Sequence, residues 1–409
     1  MFPITIYDIP KIIKKNSNIL KKARIDIKIK ELDIKFQKYD YFPNLFLNYS
    51  GSLNNLFKND SSHTHNIKLN SSWNVFNNLN TWLNHRIENF EYSNLIINYK
   101  KKENTEIFNN LMLYITAIKN KFSYELVMSN EIISKTQYDY VLSRKKQGIA
   151  SEIDLISAKS EYDNSLYNTK YYKILYTKSI LDLEKSLHLT NIIISYFKIT
   201  NIKTILSSKL FNKYKKYYLK SFEKKNIDND FNILQTQKKI NNKDLWIKTA
   251  SINTSFSWYG FNYTSTTDYS TNKFLDYYIG INISIPIFNK FQNVNQHKKI
   301  LFQIMKNDID EKELIDTKLN NLRNLINNYN DKIELLNVSK SRLSSSKTTY
   351  LNIKESYTLG ITSLLNLYLT EQKYKNAEKD FLLLKYDIIK LKINLAYFFN
   401  QPDKWEQIF

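Results

Sequence analysis

Few side chains in this sequence have the types and spacing that chemistry requires. His63 and His65 form an H-x-H pair that could start a metal site, but no carboxylate or third histidine stands at helical spacing from them. A solvated loop is the better reading of the pair, and no metal or cofactor is expected. His85, His188 and His297 are scattered. With no cysteine in the chain there is no disulfide framework, thiolate metal site or cysteine nucleophile. Phosphate-binding loops, dinucleotide fingerprints, zinc-protease motifs and nucleophile elbows are missing too. Acidic residues three or four apart are numerous, as solvated helix faces produce. The pattern is not that of an enzyme. Ser151 with Asp154 three positions on reads as a capping box.

The elements that hold these residues are unusual. In 409 residues there are 5 Gly and 5 Pro, too little turn chemistry for a compact enzyme of many elements. No glycine or proline occurs across 78–147 or across 290–359, so each stretch permits one continuous helix of about 70 residues, on the order of 100 Å long. Gly148 and Gly360 follow these stretches, where a left-handed residue closes a last turn. Arg144, Lys145 and Lys146 suit the end of the first helix dipole. Beyond each glycine, apolar or semi-polar residues recur every seventh position, through Leu155, Tyr162, Thr169, Tyr176 and Leu183 and through Leu367, Tyr374, Phe381, Ile388 and Leu395. That period implies coiled-coil packing against an antiparallel neighbour.

The chain is a duplication. A shift of 212 places Ser134, Lys135, Thr136 and Tyr138 on Ser346, Lys347, Thr348 and Tyr350, and Gly148 and Ile149 on Gly360 and Ile361. The first repeat, 1–208, contains a helix, strands at 44–53 and 66–76, the long helix 78–147, a tip at 148–151 and a return helix. The second, 209–409, repeats the order, with strands at 250–263 and 277–288, the long helix 290–359 and a tip at 360–363. The strand signal is plainest in IGINISIPIF, where isoleucines 279, 281, 283, 285 and 287 share one face. The joining segments 54–65 and 264–276 read as polar loops. Trp73, Phe76, Trp258, Tyr259, Tyr277, Tyr278 and Phe288 are placed at strand ends, as an interfacial aromatic belt would be.

No apolar run approaches the roughly 18 to 20 residues of a membrane-spanning helix. Four two-faced strands cannot close on themselves, whereas membrane barrels need about eight or more. Sharing the strands among copies of the chain removes every sheet edge. The opening MFPITIYDIPKIIKK lacks the basic start and unbroken apolar core of a secretory signal, so a signal was removed from this chain or was never there. The formal charge of +21 comes from lysines dispersed among Asn, Ile and Tyr, so base composition explains it better than a polyanion site, and no nucleic acid is expected.

These motifs together resemble the TolC-type outer-membrane efflux and secretion channels. The resemblance is carried by Phe42-Pro43-Asn44-Leu45, by the tips GIASEIDLISA (148–158) and 360–367, and by IGINISIPIF. It implies a mainly α fold with transmembrane β-strands: a homotrimer whose twelve strands form a β-barrel in outer-membrane lipid and whose helices form an α-helical barrel through the periplasm. It further implies docking to a periplasmic adaptor and an inner-membrane transporter, and export without chemistry. Around the tips it singles out Gly148, Ser151, Asp154, Tyr357, Gly360, Thr362 and Asn366. Asp154 and Tyr357 match positions of a closing latch, which sets the expectation of a hydrogen bond between them worth roughly 1.5 to 3 kcal/mol. Thr362 stands where an arginine occurs, and Asn366 and Leu369 replace an acidic ring, so cation binding there is not expected. The competing reading is a cytosolic coiled-coil scaffold, which leaves the isoleucine face uncovered.

Overall fold

The computed structural model describes residues 2–54, 61–77, 80–197, 204, 214, 217–243, 249–264, 269–285, 287 and 291–407. In chain order the elements are β1 (Phe2–Ile4), α1 (Ile9–Asn16), α2 (Asn18–Phe36), β2 (Asn44–Asn54), β3 (Ser61–Phe76), α3 (Asn80–Lys146), α4 (Glu152–Leu187), β4 (Ile192–Ile194), α5 (Phe222–Lys243), β5 (Thr249–Thr264), β6 (Tyr269–Ser284), α6 (Gln292–Thr358) and α7 (Leu364–Phe398). Short 3-10 turns occupy Gln37–Tyr41 and Pro402–Gln407.

The long elements come in pairs of nearly equal length. Helices α3 and α6 have 67 residues each, and α4 and α7 have 36 and 35. Stacked tyrosines cross each hairpin at positions related by the same shift of 212. Tyr138 lies on Tyr162 with centroids 6.1 Å apart, and Tyr350 lies on Tyr374 at 5.6 Å. The seven-residue seam is half-buried near the tips and closes fully at Leu183, Ile388 and Leu395.

The chain forms two compact units, and neither follows the repeat boundary. The first comprises Met1–Arg24, Asn98–Phe222 and Leu314–Phe409; the second comprises Ile25–Ile97 and Glu223–Glu313. In the first unit, Ile107, Leu111, Ile115 and Ile118 form one face of α3, buried with Ile4, Ile9, Ile13, Leu183, Leu187 and Ile389. Tyr114, fully buried, donates its hydroxyl toward the carbonyls of Ile4 at 2.9 Å and Ser195 at 2.7 Å, beside the parallel β1–β4 pair. A second cluster joins Leu322, Ile326, Tyr329 and Ile333 of α6 to Ile388 and Leu395 of α7.

The second unit holds the antiparallel sheet, in the order β2-β3-β5-β6. Its helices are tied by polar contacts. Lys30 of α2 bridges Glu88 and Glu91 of α3, and Asn229 of α5 donates to Ser93 and Asn94 at 3.0 and 2.8 Å. Among the described residues, neither β2 nor β6 has a second strand partner.

Toward the 54–65 and 264–276 segments the strands are longer than their apolar alternation indicates, while β6 stops at Ser284, short of the expected end at 288. Segments 61–65 and 269–276, expected as loops, continue the ladder, with Asn54 opposite Ser62 and Thr264 opposite Tyr269. Pairing satisfies backbone donors and acceptors whatever the side chains are, so Ser, Thr and Asn extend a strand once its partner is in register.

Candidate functional site

Two regions carry the residues of interest: the faces of the sheet and the tips of the two helical hairpins. In an antiparallel sheet, residues directly opposite one another share a face, so the register sorts every position. One face has rows Tyr49–Ile67–Trp258–Leu275, Leu47–Leu69–Phe256–Tyr277, Leu45–Ser71–Thr254–Ile279 and then Trp73–Ile252–Ile281. Past a bulge between Asn74 and Phe76 it continues with Phe76–Ala250–Ile283. This apolar face is open: Leu45, Leu47, Ile279 and Ile281 are 68%, 72%, 72% and 74% exposed.

The opposite face reads Asn44–Ser72–Asn253–Gly280, Phe46–Asn70–Ser255–Tyr278, Asn48–Lys68–Ser257–Asp276 and Ser50–Asn66–Tyr259. It is built from amides and hydroxyls with a few aromatics. Gly280 leaves room for Tyr278, whose ring folds back over it; a Cβ at Gly280 would collide with that ring.

The expected aromatic belt is divided between the faces. Trp73 and Phe76 lie near the end of β3, each 40% exposed on the apolar face, and the Trp73 indole donates to the Tyr41 carbonyl at 2.9 Å. Tyr277 sits well inside β6 because that strand already begins at Tyr269, and Trp258 lies in the middle of β5 rather than at its end. Tyr259 and Tyr278 belong to the polar face. Phe288 lies outside the described residues. His65 stacks on Tyr49, with its Nδ1 2.9 Å from the tyrosine hydroxyl. Among the described residues no three or more His, Cys, Asp or Glu side chains converge as a metal site.

Both hairpin tips are built alike. Gly148 and Gly360 have φ of 74° and 73°, the left-handed region that favours glycine. The amides of Ile149 and Ile361 return to the carbonyls of Arg144 and Ser356, at 2.9 and 2.8 Å, closing the last turns of α3 and α6. Ser151 caps α4 with both capping-box bonds present: its Oγ accepts from the Asp154 amide at 3.0 Å, and the Asp154 carboxylate accepts from the Ser151 amide at 3.0 Å. Ser363 caps α7 by accepting from the Asn366 amide at 3.3 Å, while the Asn366 side chain donates to Thr362 at 3.0 Å.

The expected pairing of Tyr357 with Asp154 is not made within the chain. The Asp154 carboxylate also takes the Ser151 hydroxyl, at 2.7 Å, and these Ser151 bonds hold it below the usual carboxylate range. Tyr357 is paired instead with Tyr140, and that pairing draws Tyr140 below the usual tyrosine range and raises Tyr357. The Arg144 guanidinium lies 5.8 Å from the Tyr140 ring centroid and favours the same ionisation. Tyr140 was not legible as a partner, since nothing in its spacing marks it out. Exposed apolar side chains, among them Ile149, Ile153, Ile361 and Leu365, surround these caps.

A shallow cavity near the hairpins is lined by Glu161, Tyr368, Glu371 and Gln372, among others. Gln372 donates to Glu161 at 3.1 Å, and burial together with the bond to Glu161 pushes the Tyr368 hydroxyl up. Nothing in this set pairs a nucleophile with a base.

No protein-family model matches the sequence, and no curated protein matches it. Solved structures do. The CmeC outer membrane channel of Campylobacter jejuni is 15% identical, with a TM-score of 0.75 over 97% of this chain and 86% of that one. The outer membrane protein VceC of Vibrio cholerae is 10% identical, with a TM-score of 0.75 over 97% and 96%. The MtrE outer membrane channel of Neisseria gonorrhoeae, solved in its open state, is 13% identical, with a TM-score of 0.71 over 97% and 88%. At such identities the likeness is one of fold: this chain, mostly helical with few strands, has the subunit fold of the TolC-type outer-membrane channels.

Proposed function

We propose that this chain, which has the TolC-type outer-membrane channel fold, is one subunit of an export duct. The observation that carries the reading is the four-stranded sheet with one open, largely exposed apolar face, whose edge strands β2 and β6 have no second strand partner among the described residues. In water, a contiguous face of Leu, Ile, Trp and Phe of this extent is a binding or membrane surface. The two bare edges are templates for further strands. Joining copies edge to edge satisfies both demands, because lipid covers the apolar rows and closure consumes the edges.

The dimensions support this. From Leu275 to Ile283 the apolar rows span about 27 Å along the strand. At a strand tilt of about 35–45° that is about 20 Å of membrane thickness, near the outward apolar band of roughly 25 Å in such barrels. Three copies give twelve strands. The long hairpins then extend into the periplasm as a helical tunnel, whose tips meet a periplasmic adaptor and an inner-membrane transporter of a tripartite efflux or type I secretion system. The duct transports and performs no reaction.

The test is whether the protein needs a membrane and makes a hole in it. Fractionation should place it with outer-membrane lipid, extractable only with detergent, and the purified oligomer should give discrete conductance steps in a planar bilayer. A water-soluble protein that leaves bilayer conductance at baseline refutes the reading and restores the scaffold.

A further inference from the structure

The polar face of the sheet is chemically unlike the rest of the chain. Overall, 24% of residues are charged and the formal net charge is +21. Yet across the polar rows from Asn74–Ser251–Asn282 to Ser50–Asn66–Tyr259, the charged residues are Lys68 and Asp276 alone. Both stand in a single row, with Ser257 between them. Everything else there is amide, hydroxyl, aromatic ring or glycine.

We infer that the strand-walled section of the duct does not sort its cargo by charge, and that it passes neutral hydrogen-bonding solutes and ions of either sign alike. The inference rests on the export-duct reading, because it takes the polar face as the lumen. Asn and Ser side chains both donate and accept hydrogen bonds, so they exchange water for solute groups of either polarity. Lys68 and Asp276 lie two strand spacings apart, about 10 Å, comparable with the Debye length of about 8 Å at physiological salt. Repeated round a closed wall, they form a ring of alternating sign and zero net charge. Charge discrimination, where the duct has any, belongs to the helical section, whose surface carries the excess lysine.

The chain contains no cysteine, so a single introduced thiol reports its surroundings alone. The full-length protein in lipid vesicles is given Asn70→Cys or Asn253→Cys on the polar face, or Ile279→Cys on the apolar face. Each is reacted with an anionic and a cationic methanethiosulfonate, with rates normalised to those of free 2-mercaptoethanol. The normalised ratio of the two rates at positions 70 and 253 should lie within about threefold of one, whereas a lining potential of a few kT would push it well past tenfold. Added to the Asn70→Cys chain, Lys68→Gln should shift the ratio toward the cationic reagent, and Asp276→Asn should shift it toward the anionic one. A tenfold or larger preference for one sign at both positions overturns the neutral lining. Equal reactivity at positions 279 and 253 overturns the duct reading itself, whatever the sign ratio.

Discussion

Replacing Ile279 by lysine places a charge at the centre of the apolar face. Its row, Leu45–Ser71–Thr254–Ile279, is third of the five that run from Leu275 to Ile283, and the side chain is 72% exposed. If lipid covers that face, the new ammonium lies near the bilayer midplane, where Lys or Arg on a barrel exterior costs about 2–4 kcal/mol. At about 3 kcal/mol per chain the folding equilibrium shifts by roughly 150-fold. The control is Asn253→Lys, one residue from Thr254 along β5 and on the opposite face; a surface change of this kind costs within about 0.5 kcal/mol. Urea titration of the vesicle-inserted protein, followed by the fluorescence of Trp73 and Trp258, measures both. Equal costs for the two variants, or a larger cost for Asn253→Lys, would refute the assignment of the faces.

The hairpin tips support further tests. Gly148→Ala and Gly360→Ala should each destabilise by about 1 kcal/mol in thermal unfolding; a Cβ at either position meets nothing within 4 Å, so the loss is one of backbone conformation and asparagine should be milder. Ser151→Ala should cost about 1 kcal/mol, more than Ser363→Ala, whose cap lacks the reciprocal carboxylate bond. Asp154 is held below its ordinary range by Ser151, so its contribution is complete above the ordinary carboxylate pKa and is lost as pH falls through the lower folded value. An acid titration of stability should therefore flatten in Ser151→Ala. Tyr357→Phe removes the hydroxyl paired with Tyr140, and ultraviolet titration should then show Tyr140 ionising at higher pH than in the parent, while Asp154→Asn leaves Tyr140 unchanged.

The long helices and their ends were legible because their determinants are local. A run of nearly 70 residues without glycine or proline, closed by a glycine that alone tolerates φ near 74° at low cost, admits few other structures. The strand cores were legible through period-two alternation, but not their outer ends, where the ladder continues through Ser61 to His65 and Tyr269 to Asp276 on backbone pairing alone. The same extension moved Tyr277 away from the start of its strand. The pairing of Tyr357 with Tyr140 depends on the rotation of α6 against α3, which is set by packing along the whole helices, and no short spacing encodes it. The two compact units draw on both repeats because each long helix contributes one part of its length to each unit.

If the sheet, incomplete in one chain, is completed by copies of it in lipid, the extracted protein is a trimer. Native mass spectrometry of the detergent-extracted protein tests it directly. The complex should have about three times the 48.8 kDa chain mass and fall apart when β2 or β6 is blocked from pairing by proline. A 48.8 kDa species that stays dissolved without detergent, with its isoleucine face shielded by its own fold, would contradict it.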